Sequence, residues 1–99
     1  MIRIDMSQPC PLLFPSGRIV ATPGAISLLD LHEVQPHSLL RRHQAGDFGD
    51  LCEDDKQANI DAIATGERVL SSYQIGEDKI WIITEADRSS TCLLLPEDY

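Results

Sequence analysis

The apolar positions of this 99-residue chain change period about two-thirds of the way along. Up to residue 66 they recur at helical spacing, and beyond it they gather into short runs of strand length. Ala25, Ile26, Leu28, Leu29 and Leu31 predict a helix with a broad apolar face, with Thr22 as its N-cap, Pro23 at its first position and an end near Glu33. Pro36 starts a second, short helix that turns Leu39 and Leu40 inward and leaves Arg41, Arg42 and Gln44 in water. A third is predicted from about Glu53 to Ala64, with Ala58, Ile60, Ala62 and Ile63 as its apolar positions. Asp54 and Asp55 suit its electropositive start, and Gly66 suits its C-terminal cap.

Strands are predicted over Arg68 to Gln74, Lys79 to Thr84 and Ser90 to Leu95, the last ended by Pro96. The tight turn Gly76-Glu77-Asp78 makes the first two an antiparallel hairpin, and the loop 85–89 reverses the chain again. Upstream, Gly17 to Ala21 is a short β-branched run and a further strand. Residues 1–16 hold three prolines in seven positions, which forbids a helix and predicts an extended arm closed by a turn. The fold class is therefore α+β in one domain, residues 1–99. A small antiparallel sheet, made of the N-terminal strand and a C-terminal three-stranded meander, packs against two or three short helices. Trp81 is expected in the core, Phe48 or Leu51 as a plug from the loop before the third helix, and Tyr73 and Tyr99 partly exposed.

Charge narrows the functional classes. Sixteen acids against eight bases give −8, which argues against direct nucleic-acid binding, since neutralising phosphates takes clustered Lys and Arg. The same sign permits attraction to a basic protein surface. The first residues lack the pattern of a secretory leader, and no apolar stretch is long enough to span a bilayer, so a cytoplasmic protein with no membrane partner is expected. Cys10, Cys52 and Cys92 show no paired spacing and read as reduced thiols.

Three features carry candidate chemistry. His43 to Asp50, with Cys52, Asp54 and Asp55 behind it, holds metal-ligand residue types. It has neither paired cysteines, nor a helical His-Glu-x-x-His, nor the alternating oxygen ligands of a calcium loop, so no metal and no cofactor are expected. The segment Thr84 to Thr91 holds Glu85 and Asp87, followed by Arg88 and the three hydroxyls of Ser89, Ser90 and Thr91. Glu85 and Asp87 would share a side of the strand end, with Arg88 able to pair with either. The bland reading of that segment is a hairpin loop whose side chains cap backbone amides. The third feature is charge placement. Residues 47–61 hold Asp47, Asp50, Glu53, Asp54, Asp55 and Asp61 against Lys56, a net of −5 out of the chain's −8. A solvated helix face is the ordinary reason for such a run, and a docking surface for a basic partner is the sharper one.

Several strings also resemble one group of proteins. Gly46-Asp47-Phe48-Gly49-Asp50-Leu51, preceded by Arg42-His43-Gln44 and followed by residues 54–59, is similar to small proteins carried on bacterial plasmids and integrative elements. So are Val20 to Ala25, Ile83 to Thr91 and Leu94 to Tyr99, so the likeness runs from about Gly17 to the last residue. Members carry the label of plasmid-related proteins, or that of a restriction–modification subunit, a class far larger than this chain. Phe48 stands where the group commonly has tryptophan, and Cys92 where threonine is expected. The resemblance implies a mobile-element setting and brings no reaction with it.

The expected function is that of a non-enzymatic inhibitor of anti-CRISPR or anti-restriction type, bound to a basic, nucleic-acid-binding protein or complex of a bacterial defence system. Asp47, Asp50, Glu53, Asp54 and Asp55 are its expected contacts, and Glu85, Asp87 and Arg88 a second patch. Two alternatives remain from other classes. One is a small metal-dependent hydrolase built on His43, Asp47, Glu85 and Asp87. The other is a plasmid-maintenance protein that dimerises through an exposed sheet edge.

Overall fold

The computed structural model describes residues 12–99. The chain runs through β1 (Arg18–Ala21), α1 (Pro23–Leu31), α2 (Pro36–Gln44), α3 (Glu53–Thr65), β2 (Val69–Ile75), β3 (Asp78–Thr84) and β4 (Ser90–Leu94), and ends in a 3-10 turn, Pro96–Asp98. Local signals set most of these bounds. Thr22 Oγ1 accepts a hydrogen bond from the Ala25 amide at 3.2 Å, with Pro23 just inside the helix. Gly66 closes α3 in the left-handed conformation, φ 79°, which glycine adopts without steric cost.

The fold is α+β, with a four-stranded sheet in the order β1-β4-β3-β2. The meander β2-β3-β4 is antiparallel, whereas β1 joins β4 in parallel, with Arg18 opposite Ser90 and Ala21 opposite Leu93. The sheet is thus mixed rather than wholly antiparallel. Everything between β1 and β4 forms the crossover that a parallel pair needs.

Register sorts the strand residues onto two faces. On one lie Val69, Ser71, Tyr73 and Ile75, then Ile80, Ile82 and Thr84, then Thr91 and Leu93, then Ile19 and Ala21. Ala25 and Leu29 of α1 and Leu39 and Leu40 of α2 cluster with Tyr73, Ile75, Ile80, Ile82 and Leu93. Ala62 of α3 joins Phe14, Phe48 and Val69 in a second cluster. All three helices therefore bury their apolar stripes on the same face. Tyr73, expected to be partly exposed, is 2% exposed there. On the other face Trp81 is half-buried rather than a core residue, and it meets the Tyr99 ring edge-on at 5.8 Å.

The chain is already anchored before β1. Phe14 is buried, the Leu13 amide donates to the Gln44 carbonyl at 2.7 Å, and Thr91 Oγ1 donates to the Ser16 carbonyl. The predicted arm is thus tied down from Leu13 onward, and its residues 1–11, Cys10 among them, lie outside the described residues. Among the described residues no helix is long and apolar enough to cross a membrane.

Candidate functional site

The stretch from His43 to Asp55 divides residue by residue into an inward and an outward part. His43 falls in the last turn of α2, three and four residues after Leu40 and Leu39, on the stripe that faces the sheet. It is fully buried, as are Ser71, Thr84 and Thr91. Its Nδ1 lies 2.5 Å from Ser71 Oγ and its Nε2 2.9 Å from Thr84 Oγ1. Thr84 Oγ1 is in turn 2.7 Å from Thr91 Oγ1, which donates to the Ser16 carbonyl.

Counting protons fixes the direction of this chain. Thr91 gives its only hydroxyl proton to Ser16, so Thr84 must donate to Thr91, and Thr84 can then only accept from His43 Nε2–H. Nδ1 is left as the acceptor for Ser71 O–H. The count makes Nε2 a donor, and the neutral ring that burial favours is then the Nε2–H tautomer. Burial pushes its pKa down to about 4, and the positive charge of Arg88 pushes it the same way. Among the described residues no buried side-chain nitrogen or oxygen lacks a partner. A serine hydroxyl against an imidazole is the pairing of an activated nucleophile, but both groups are sealed from solvent. What this arrangement does is lock α2, the N-terminal segment and the centre of the sheet together.

Arg88 has a structural post rather than a carboxylate partner. Its guanidinium donates to the carbonyls of Glu67 at 2.6 Å, Glu85 at 3.1 Å and Ala62 at 3.2 Å, and lies 5.5 Å from the Phe14 ring centroid. These bonds join the β3–β4 turn to the C-terminal end of α3, where a cation suits the helix dipole. They also hold Arg88 at φ 61°, a left-handed conformation costly for a side chain of this size. The expected pairing of Arg88 with Glu85 or Asp87 is thus replaced: Glu85 bonds Arg68 at 3.4 Å. Asp87 Oδ1 caps the Ser89 amide at 3.0 Å, and hydrogen bonding by Ser89 holds its carboxyl below the usual range.

Asp47 is similarly engaged. Arg42 Nε donates to it at 2.8 Å, and the Gly49 amide at 3.1 Å. The Arg42 bond is the main reason that its carboxyl lies below the ordinary value. The Asp47 carbonyl accepts from the Tyr73 hydroxyl, whose pKa burial pushes up to about 12. Next along, Phe48 is 1% exposed, and the plug expected from this loop is in place.

The loop then runs along β2. Ser72 N–H donates to the Phe48 carbonyl and the Asp50 amide donates to the Ser72 carbonyl. Gly49, at φ 78°, passes so close that a Cβ would collide with that carbonyl. Asn59 of α3 does the same for Leu70: its amide nitrogen donates to the Leu70 carbonyl at 2.5 Å and its oxygen accepts from the Leu70 amide at 3.1 Å. Sequence reasoning passed over Asn59. Its signal was a polar residue on the α3 stripe that also carries Ala62 and Ile63.

The outward part consists of carboxylates. Asp50, Glu53, Asp54 and Asp55 are exposed on the loop end and first turn of α3. Lys56 approaches Glu53 only to 4.0 Å, and the Glu53 side chain is 93% exposed. Asp61, further along the helix, accepts from Gln57 at 3.2 Å.

Of the predicted site residues, Asp50, Glu53, Asp54 and Asp55 are all exposed, on the loop end and first turn of α3. The four residues of the hydrolase alternative are not assembled into one site. His43 reaches the start of the 85–89 loop only through Thr84, inside the core, while Asp47, Glu85 and Asp87 sit outside with other partners. Among the described residues no set of three His, Cys, Asp or Glu side chains is placed to hold a metal ion. A shallow groove of about 400 Å³ lies elsewhere, lined by Leu28, Glu77, Asp78, Lys79, Leu95, Pro96 and Glu97. Cys52 and Cys92 are free thiols, the first exposed and the second half-buried. Set beside family models, curated proteins and solved structures, the chain matches none of them.

Proposed function

We propose that this protein is a non-enzymatic inhibitor that binds another protein through its acidic face, formed by Asp50, Glu53, Asp54 and Asp55. Its target is a basic, nucleic-acid-binding surface in a complex of a bacterial defence system, as in anti-CRISPR or anti-restriction proteins. The observation that carries this reading is the exposure of four adjacent carboxylates on one loop and helix start, in a chain whose other ionisable candidates are tied into its own fold. Such a face presents the sign and density of charge that a Lys/Arg-lined channel accepts. It raises the rate of encounter and displaces nucleic acid by occupancy. Asp47, neutralised by Arg42, lies at the rim of that face. Glu85, Asp87 and Arg88 form a second patch whose charges are largely spent on internal bonds. The mobile-element setting implied by the resemblance gives such an inhibitor an occasion to act.

Affinity capture from a host lysate tests the proposal. The wild-type chain is expected to retain a basic nucleic-acid-handling protein at low salt and release it at high salt. The variant Asp50→Asn/Glu53→Gln/Asp54→Asn/Asp55→Asn should retain none. Recovery of no such partner, or equal recovery by the variant, overturns it.

A further inference from the structure

The two edges of the sheet are finished differently. At the β2 edge, the outward backbone groups of Leu70 and Ser72 are occupied by the Asn59 side chain and by the loop at Phe48 and Asp50. At the β1 edge nothing comparable is present among the described residues. The amides of Arg18 and Thr22 donate to Ser89 and Leu93 on the β4 side, so the alternation of the ladder turns the N–H and C=O of Ile19 and Ala21 away from the sheet. Ile19 is 52% exposed on the helix-covered face and Val20 41% exposed on the other. An edge that the described residues leave open, with apolar side chains on both faces, is a template for another strand.

We infer that this edge binds a second copy of the same chain, β1 pairing antiparallel with its counterpart about a two-fold axis at Val20. Three observations favour a second copy over a foreign strand. First, the edge is self-complementary. With Val20 facing Val20 of the partner subunit, Ile19 pairs with Ala21 of the partner subunit, and all the outward donors and acceptors of both copies are used in four hydrogen bonds. Second, the register places no like charges opposite one another, because Arg18 faces Thr22 of the partner subunit. Third, the charge distribution permits it. β1 holds no acid, and the run with net −5 follows the loop that closes the opposite edge. Two chains of −8 can therefore join here with their acidic faces at the far ends of one eight-stranded sheet. This inference does not rest on the proposed inhibitory function.

Sedimentation of the full chain across a dilution series tests it. Wild type is expected at twice the 11.0 kDa chain mass, dissociating on dilution. Ile19→Pro removes an amide that the protomer itself does not use, and Val20→Lys sets two ammonium groups against each other on the axis. Each should run as a monomer at concentrations where wild type is dimeric, with an unchanged circular dichroism spectrum. Leu31→Lys, which alters a still more exposed apolar residue away from the edge, should stay dimeric. The register has its own readout in a Cys92→Ser background, since Cys92 lies opposite Val20 within the protomer: Val20→Cys should cross-link between copies on mild oxidation and Ile19→Cys should not. Wild type at the single-chain mass throughout the series overturns the inference, whether or not another protein binds the edge. So does a dimer that survives both Ile19→Pro and Val20→Lys.

Discussion

His43 and the carboxylates that follow it come from one stretch of chain rich in ionisable groups, yet the fold treats them in opposite ways. The imidazole is carried inside by the stripe of α2 and held neutral, because a buried cation costs several kcal/mol unless it is paired. Around it the structure supplies hydroxyls that satisfy both ring nitrogens and Arg88, whose charge disfavours a second cation. A few residues later the carboxylates stay in water, where charge costs little, exposed on the loop end and first turn of α3. Residue type alone marked both regions as candidate chemistry. Position in the fold decided that one would be buried and the other exposed.

Substitutions at several points separate the buried part from the exposed one. The harshest is Phe48→Ala, which removes the plug between α3 and the sheet. A buried phenylalanine lost to alanine costs about 3–5 kcal/mol, read as a fall in the denaturant midpoint. A loss below about 1 kcal/mol would mean that the loop between the two regions is not a core element.

Next comes pH. His43 has a folded-state pKa of about 4 against an ordinary 6.5, so the unfolded chain binds the extra proton between those values and stability rises with pH. The contribution is complete above about pH 6.5 and is lost as pH falls towards 4. It amounts to roughly 3 kcal/mol by the conversion of one pKa unit to about 1.4 kcal/mol. Stability measured against pH should therefore be steeper for wild type than for His43→Gln across that window, and parallel curves would contradict a neutral buried ring.

Arg88→Met tests the tie between the β3–β4 turn and α3. It leaves three carbonyls without their donor and should cost about 1–3 kcal/mol, with local loosening of residues 85–89 seen by hydrogen exchange. The smallest effect on the fold is expected from the fourfold neutralisation of the acidic face. That change removes favourable charge from the first turn of α3 but touches no core contact, so the melting temperature should move by only a few degrees. If the chain unfolds instead, the acidic face is architecture too, and the contrast collapses.

The elements themselves were legible because each carries a local signal: Thr22-Pro23, Gly66, the Gly76 turn and the change of period after it. Pairing was less so. The direction of β1 against β4 depends on a contact between residues about seventy positions apart, and nothing in Arg18–Ala21 encodes it. Tyr73 looked half-exposed because a phenol often keeps its hydroxyl in water. In β2, however, it shares the inward face with Ser71 and Ile75, and its hydroxyl finds the Asp47 carbonyl. His43 looked like a ligand because it begins a string of metal-binding residue types. The spacing from Leu39 and Leu40 was the signal that it faces the core. In sequence Arg88 stands beside Glu85 and Asp87, and only the folded chain brings the end of α3 within its reach. The acidic face was legible throughout, since exposed charge needs no tertiary contact to be what it is.

The central claim is that the outward carboxylates act by standing in for nucleic acid on a basic surface. Competition measures this most directly. The partner is captured on immobilised wild-type chain at low salt and then challenged with duplex DNA or with an excess of the neutral variant. Release by DNA and by salt is expected, and none by the variant. Retention of the partner through both DNA and high salt would contradict it.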